Sequence, residues 1–180
     1  MTKPALPTTL QALVDQQAIR DVLIRYTRGI DRMDVDLVRS TYHPDAHDDH
    51  GAYQGDVDGF VEWVQQALSY FDSTMHFIGN QLVEIDEADL DRAHAESYCV
   101  AYHRRRARLG ANGVPDEPGH DLVTALRYVD RMERRGGEWR IADRRCVFDW
   151  TRRDPIVGEW ELGPEVLQGR RDQMDPVYDR

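Results

Sequence analysis

Tyr26, Asp31, His76 and His103 are the side chains of this sequence best suited to moving a proton. An imidazole titrates near neutrality, so a carboxylate that fixes its tautomer turns it into a usable general base. His76 stands in Thr74-Met75-His76-Phe77-Ile78-Gly79-Asn80, an apolar, strand-like run, while Tyr26 and Asp31 fall near the end of the first helical segment. A single histidine among apolar residues is more often a hydrogen-bonded core residue than a catalyst. Its partners therefore decide its meaning. On an ideal helix Tyr26 and Asp31 lie about 140° apart. Gly29 between them is expected to end or bend the helix and swing Asp31 toward the pocket.

Strand parity extends the set of candidates. Side chains alternate along a strand, which places His76 on one face with Ile78, Asn80 and Leu82. On the next strand Ala93, Ala95, Ser97, Cys99, Ala101 and His103 share a face. Such small residues either pack closely on a helix or leave a cavity with His103 at its end. Arg144 shares parity with Ala142, Cys146 and Phe148, which makes it the inward arginine, able to hold an anionic or carbonyl-bearing substrate. Asn80 and Arg144 are accordingly expected to bind substrate, together with His50 from the polar run at the pocket entrance.

His43, His47, Asp48, Asp49 and His50 form the densest group of ligand-type side chains. They lack a recognised metal-ligand spacing and follow Pro44 into an expected turn, so a polar loop or strand edge at the pocket entrance is the better reading and no metal is expected. Nucleophile elbows, phosphate-binding loops, dinucleotide fingerprints and His-Glu-x-x-His are all missing from the sequence, and no cofactor is expected.

Composition narrows the setting. With 180 residues and a formal charge of −10, the chain fits one domain, expected over residues 1–150, and offers no basic footprint for nucleic acid or anionic membrane. Residues 1–9 show no apolar leader, and no apolar run is long enough to span a bilayer. Cys99 and Cys146 are not spaced as a zinc site or disulfide framework and read as small buried residues. A cytoplasmic protein is expected.

These residues must be positioned by a helical front half and a sheet. Apolar residues at three- and four-residue steps from Leu10 to Ile30 predict a long helix after Thr8-Thr9, ending near Gly29. Asp34 is expected to cap a short helix stopped by Pro44, and Asp56 a third. Strands are predicted over 75–85, 92–106, 121–133 and 138–150, with turns at 86–91 and 135–137. Helices followed by an antiparallel meander make an α+β layout. Residues 109–120 read as a long connection able to cover a pocket mouth, or as a hairpin tip. Residues 151–180 form an irregular tail whose apolar points suggest docking on its own or a neighbouring subunit.

Tyr26-x4-Asp31, Met75-His76-Phe77-Ile78-Gly79-Asn80, Tyr102-His103 and Trp139-x4-Arg144, in this order, resemble the SnoaL-like branch of the nuclear transport factor 2-like superfamily. Within it the similarity is to the scytalone dehydratase, bile-acid dehydratase and hexachlorocyclohexane dehydrochlorinase group. The resemblance covers roughly residues 10–150. It implies a cystatin-like cone of curved antiparallel sheet closed by the N-terminal helices. It also implies an Asp31-His76 dyad, a Tyr26 that activates an oxygen, and a second pocket histidine in His103. Lysine replaces this tyrosine in the dehydrochlorinase, so Tyr26 favours loss of water or handling of a carbonyl over loss of halide. His50 stands where scytalone dehydratase has a second water-holding tyrosine, and no counterpart of that enzyme's pocket asparagine is evident near 126–128.

The expected function is thus a cofactor-independent lyase or isomerase acting on a small cyclic or aromatic carbonyl or alcohol, in a homo-oligomer, trimer before dimer. Its rivals are a non-catalytic binding cone and the small subunit of a ring-hydroxylating oxygenase.

Overall fold

A computed structural model describes residues 9–111 and 115–179. The expectation for residues 1–8, and the middle of the 109–120 connection, lie outside the described residues. Helix α1 (Leu10–Arg32) begins where the Thr9 hydroxyl accepts the Ala12 N–H, then buries Ile19, Val22, Leu23, Tyr26 and Ile30. It does not end at Gly29. The helix runs on to Met33, which closes it in the left-handed region at φ 54°. Gly29 serves close approach instead: a Cβ there would sit 2.7 Å from Val38 Cγ2. That contact seats α2 (Val35–Ser40), whose cap Asp34 accepts the Leu37 N–H.

The chain then departs from the expected turn. Tyr42–Asp49 is a strand, β1, followed by the short β2 (Gln54–Asp56) and by α3 (Val57–Ser69), capped by Asp56. Pro44 is tolerated because it sits within the irregular stretch between Tyr42 and His47, where no ladder bond needs its missing N–H. The two strands between the second and third helices were hidden by β1's polar composition.

Four long strands complete the sheet: β3 (Ser73–Ile85), β4 (Arg92–Arg105), β7 (His120–Arg135) and β8 (Glu138–Pro155). Between β4 and β7, β5 (Arg108–Leu109) and β6 (Pro115–Glu117) pair as a separate ribbon. The main order is β2-β1-β8-β7-β4-β3, antiparallel except that β1 lies parallel to β8. The β7–β8 turn uses Gly136 and Gly137 at φ 61° and 87°, backbone that side chains disfavour. This is the expected α+β cone: a curved, open sheet whose concave face is covered by α1 and α3.

One parity expectation fails. The β3–β4 register shifts between Ile78 and Gln81, so the strand bulges at Gly79-Asn80. Before the bulge Thr74, His76 and Ile78 turn inward; after it Gln81, Val83 and Ile85 do, and Asn80 and Leu82 face out. A bulge inserts one residue and so inverts every later side chain. Asn80 is therefore not in the pocket.

The tail returns to its own chain. Arg171 donates to the carbonyls of Leu68 and Phe71 at 3.0 and 2.7 Å, and the Tyr178 hydroxyl donates to Asp34 at 2.8 Å. Val157, Trp160 and Leu167 stay exposed.

Candidate active site

The inward small residues of β4 divide between the two alternatives: Ala93, Ala95 and Cys99 pack in the core, while Ala101, with His103, lines a cavity. Ala93, Ala95, Ser97, Cys99 and Ala101 are all buried, and beyond them a cavity of about 170 Å³ opens between α1, α3 and the sheet. Its walls are mostly apolar, among them Trp63, Leu68, Phe71 and Leu126, with Tyr26, His50, His76, His103, Thr124 and Tyr128 as the polar groups.

Asp31 and His76 meet at one end. His76 Nδ1 lies 2.7 Å from Asp31 Oδ1, the His76 backbone N–H donates to Asp31 Oδ2 at 2.9 Å, and the Thr74 hydroxyl donates to Oδ1 at 2.9 Å. Burial opposes the charge on Asp31, but the hydrogen bonds and charge of His76, with Thr74, outweigh it and hold the carboxyl below its ordinary value. An ionised carboxylate accepts Nδ1–H, which leaves Nε2 as the basic nitrogen of the ring.

The sheet itself, rather than a bend at Gly29, reconciles Tyr26 with Asp31. It wraps around α1, so that Asp31 meets β3 on one flank while Tyr26, some 140° round the helix, meets the far side of the cavity. There the Tyr26 hydroxyl is 3.3 Å from His50 Nε2, and its ring packs edge-on to Tyr128 at 5.6 Å. Burial pushes the Tyr26 phenol well above its ordinary pKa, only partly offset by Arg144.

His103 completes the polar lining. Its ring lies 5.4 Å from that of His76 and 5.0 Å from Phe71, and its buried Nδ1 has no hydrogen-bond partner among the described residues. Burial, reinforced by His76, lowers its pKa to about 4 and keeps it neutral.

Arg144 is inward, yet it does not line the cavity. It is fully buried, bonded to both oxygens of Asp130 at 2.7 Å, and lies 4.1 and 4.3 Å from the ring centres of Tyr26 and Tyr128. Its donors are committed to Asp130 and, at 3.3 Å, the Tyr42 hydroxyl, so it braces Tyr26 and Tyr128 instead of gripping a substrate. Asp130 was the missed partner; its inward parity on β7 was the available signal.

The polar run of β1 resolves by alternation. His47 is exposed and Asp48 fully buried, so the strand divides these side chains between two faces. Among the described residues no three His, Cys, Asp or Glu side chains are grouped to hold a metal. Asp48 instead accepts a hydrogen bond from Tyr42 at 2.6 Å and makes a short contact with His50 Nδ1. Burial opposes its charge, but His50, Arg144 and Tyr42 hold the carboxyl below its ordinary value.

A curved, open sheet closed by helices around an apolar cavity defines a cystatin-like cone. The chain belongs to the SnoaL-like domain family, whose model matches residues 11–145. No curated protein matches it. Among solved structures, a Novosphingobium aromaticivorans protein described as a candidate scytalone dehydratase is 18% identical, with TM-score 0.65 over 83% of this chain and 97% of its own. A hexachlorocyclohexane dehydrochlorinase of type 3 from Novosphingobium barchaimii is 17% identical, TM-score 0.66, over 86% and 99%. A Nostoc punctiforme protein with a cystatin-like fold is 16% identical, TM-score 0.55, over 76% and 92%. At these identities the likeness shows the fold. Among the described residues no helix is long and apolar enough to cross a membrane.

Proposed function

We propose that this chain is a cofactor-independent lyase or isomerase of the dehydratase type, with His76 as general base held by Asp31. The supporting observation is the two-point clasp of Asp31 on His76, through Nδ1 at 2.7 Å and the backbone N–H at 2.9 Å, beside an apolar cavity. The clasp fixes both tautomer and ring orientation, which a proton-abstracting imidazole requires.

Cavity size favours a single-ring substrate, since an apolar cavity of about 150 Å³ accepts benzene. A cyclic carbonyl carrying a β-hydroxyl fits both size and chemistry. His76 Nε2 takes the proton beside the carbonyl, that C–H pair becomes the new double bond, and the C–O pair leaves with oxygen, which Tyr26 protonates to water. His103, neutral and with Nδ1 free to accept, is suited to take a hydrogen bond from the enol hydroxyl.

A direct probe is 3-hydroxycyclohexanone, whose loss of water gives an enone absorbing in the ultraviolet. His76→Ala and Asp31→Asn should each lower its turnover by about 10²–10⁴-fold with an unchanged circular dichroism spectrum. Full activity in either variant sinks the dyad.

The same reading takes the protein as a cytoplasmic homo-oligomer, a trimer before a dimer. Free thiols at Cys99 and Cys146 support a reducing compartment. Phe77, Val100, Ala125 and Trp150 form one row across the outer face of β3, β4, β7 and β8, with Phe77 64% and Trp150 50% exposed, and a second copy of the chain would cover them.

A further inference from the structure

The cavity holds a second aspartate-histidine pair that the dyad mechanism leaves idle. His50 uses both ring nitrogens: Nδ1 on Asp48 and Nε2 on the Tyr26 hydroxyl at 3.3 Å. Behind it Asp48 is fully buried and receives the Tyr42 hydroxyl at 2.6 Å. The ring is clamped laterally by Phe60, stacked at 4.6 Å, and by Trp63 at 6.0 Å. Asp48, His50 and Tyr26 thus form a continuous line from the protein interior to the cavity, with Arg144 over the Tyr26 ring at 4.1 Å.

A buried phenol that gives up its proton would be left as an anion in an apolar site, which burial strongly disfavours. A donor behind it avoids that state. We propose that Asp48-His50 is a second catalytic dyad of opposite duty, which recharges Tyr26 with a proton as the substrate's hydroxyl departs. The proposal rests on the elimination reading given above and assigns the acid half of that reaction.

The step balances as follows. It starts with His50 protonated on both nitrogens, so that Nδ1–H faces Asp48 and Nε2–H faces the Tyr26 oxygen. Tyr26 O–H passes its proton to the departing oxygen, and His50 Nε2–H passes its own to the Tyr26 oxygen. Water leaves, and His50 remains neutral with Nδ1–H on Asp48. On the opposite wall His76 has gained the proton taken from carbon. The chain as a whole has neither gained nor lost charge, and proton exchange with solvent resets both rings.

Leaving-group chemistry tests this. Hydroxide needs a proton to depart and chloride does not, so 3-hydroxycyclohexanone and 3-chlorocyclohexanone, which give the same enone, separate acid from base. His50→Gln and Asp48→Asn should lower turnover of the hydroxy ketone by about 100-fold or more and that of the chloro ketone, after subtraction of the uncatalysed rate, by far less. Tyr26→Phe should show the same contrast, which guards against a fold defect at Asp48, and His76→Ala should lower both alike. Equal losses on both ketones in His50→Gln and Asp48→Asn would make His50 a packing residue and overturn the second dyad. Wild-type protein that eliminates chloride but not water overturns it too, while leaving His76 as base. An undiminished His76→Ala overturns the base reading instead, and a wild type inert to both ketones overturns both.

Discussion

His103 shows how one buried residue makes the fold sensitive to acid. Burial, and then the neighbouring His76, depress its pKa from the ordinary 6.5 to about 4. A depressed folded value means that the unfolded chain takes up the proton first. Its contribution to stability is therefore present above about pH 6.5 and is lost as pH falls toward 4, at up to about 1.4 kcal/mol per pH unit. Asp31 and Asp48 act lower, because their folded values lie below the ordinary carboxylate range and their contributions fade only beneath it. Between pH 6.5 and 4.5, then, His103→Gln should reduce the acid-induced drop in melting temperature. An identical drop in wild type and variant would contradict this account.

At the scale of elements, the seat between α1 and α2 carries the sharpest prediction. A Cβ at Gly29 would stand 2.7 Å from Val38 Cγ2 and 3.0 Å from the Val38 nitrogen. Since one of these is backbone, rotamer change alone cannot relieve it. Gly29→Ala should cost about 1–3 kcal/mol in urea denaturation, despite alanine's better helix propensity. A neutral or stabilising effect would show that α2 can slide. The same glycine marks what was legible in the sequence. Helix periodicity, the caps Thr9, Asp34 and Asp56, and the long strands could be read because each is a local pattern. Gly29 was misread as an end because its reason is a neighbour in space. β1 was missed because its identity comes from pairing with β8, a hundred residues onward, and not from an apolar alternation of its own. Asn80 was misplaced by a bulge that leaves no clear mark beyond Gly79. The inward set of His76, the small face of β4 and Arg144 survived because parity within an uninterrupted strand is reliable.

For the whole molecule, the proposed association can be tested on the sheet's outer face. Phe77→Glu would set a carboxylate at one end of the apolar row with Val100, Ala125 and Trp150, away from the cavity, whose lining does not include it. Sedimentation equilibrium should show the variant shifted to monomer at concentrations where the parent is assembled, with its circular dichroism retained. A parent that is monomeric throughout would refute oligomerisation across this face.

The parallel pairing of β1 with β8 also has a consequence in time. Asp31 and His76 are 45 residues apart, and their clasp needs only α1 and the leading part of β3. Asp48 takes its place beside Arg144, and Tyr26 beneath that guanidinium, only once β8 has been added to the sheet. Contacts of long sequence separation form late. During refolding the His76 side of the cavity should mature before the His50 side, so the chain should pass through a stage that has the Asp31 clasp on His76 and lacks the Asp48 contact with His50.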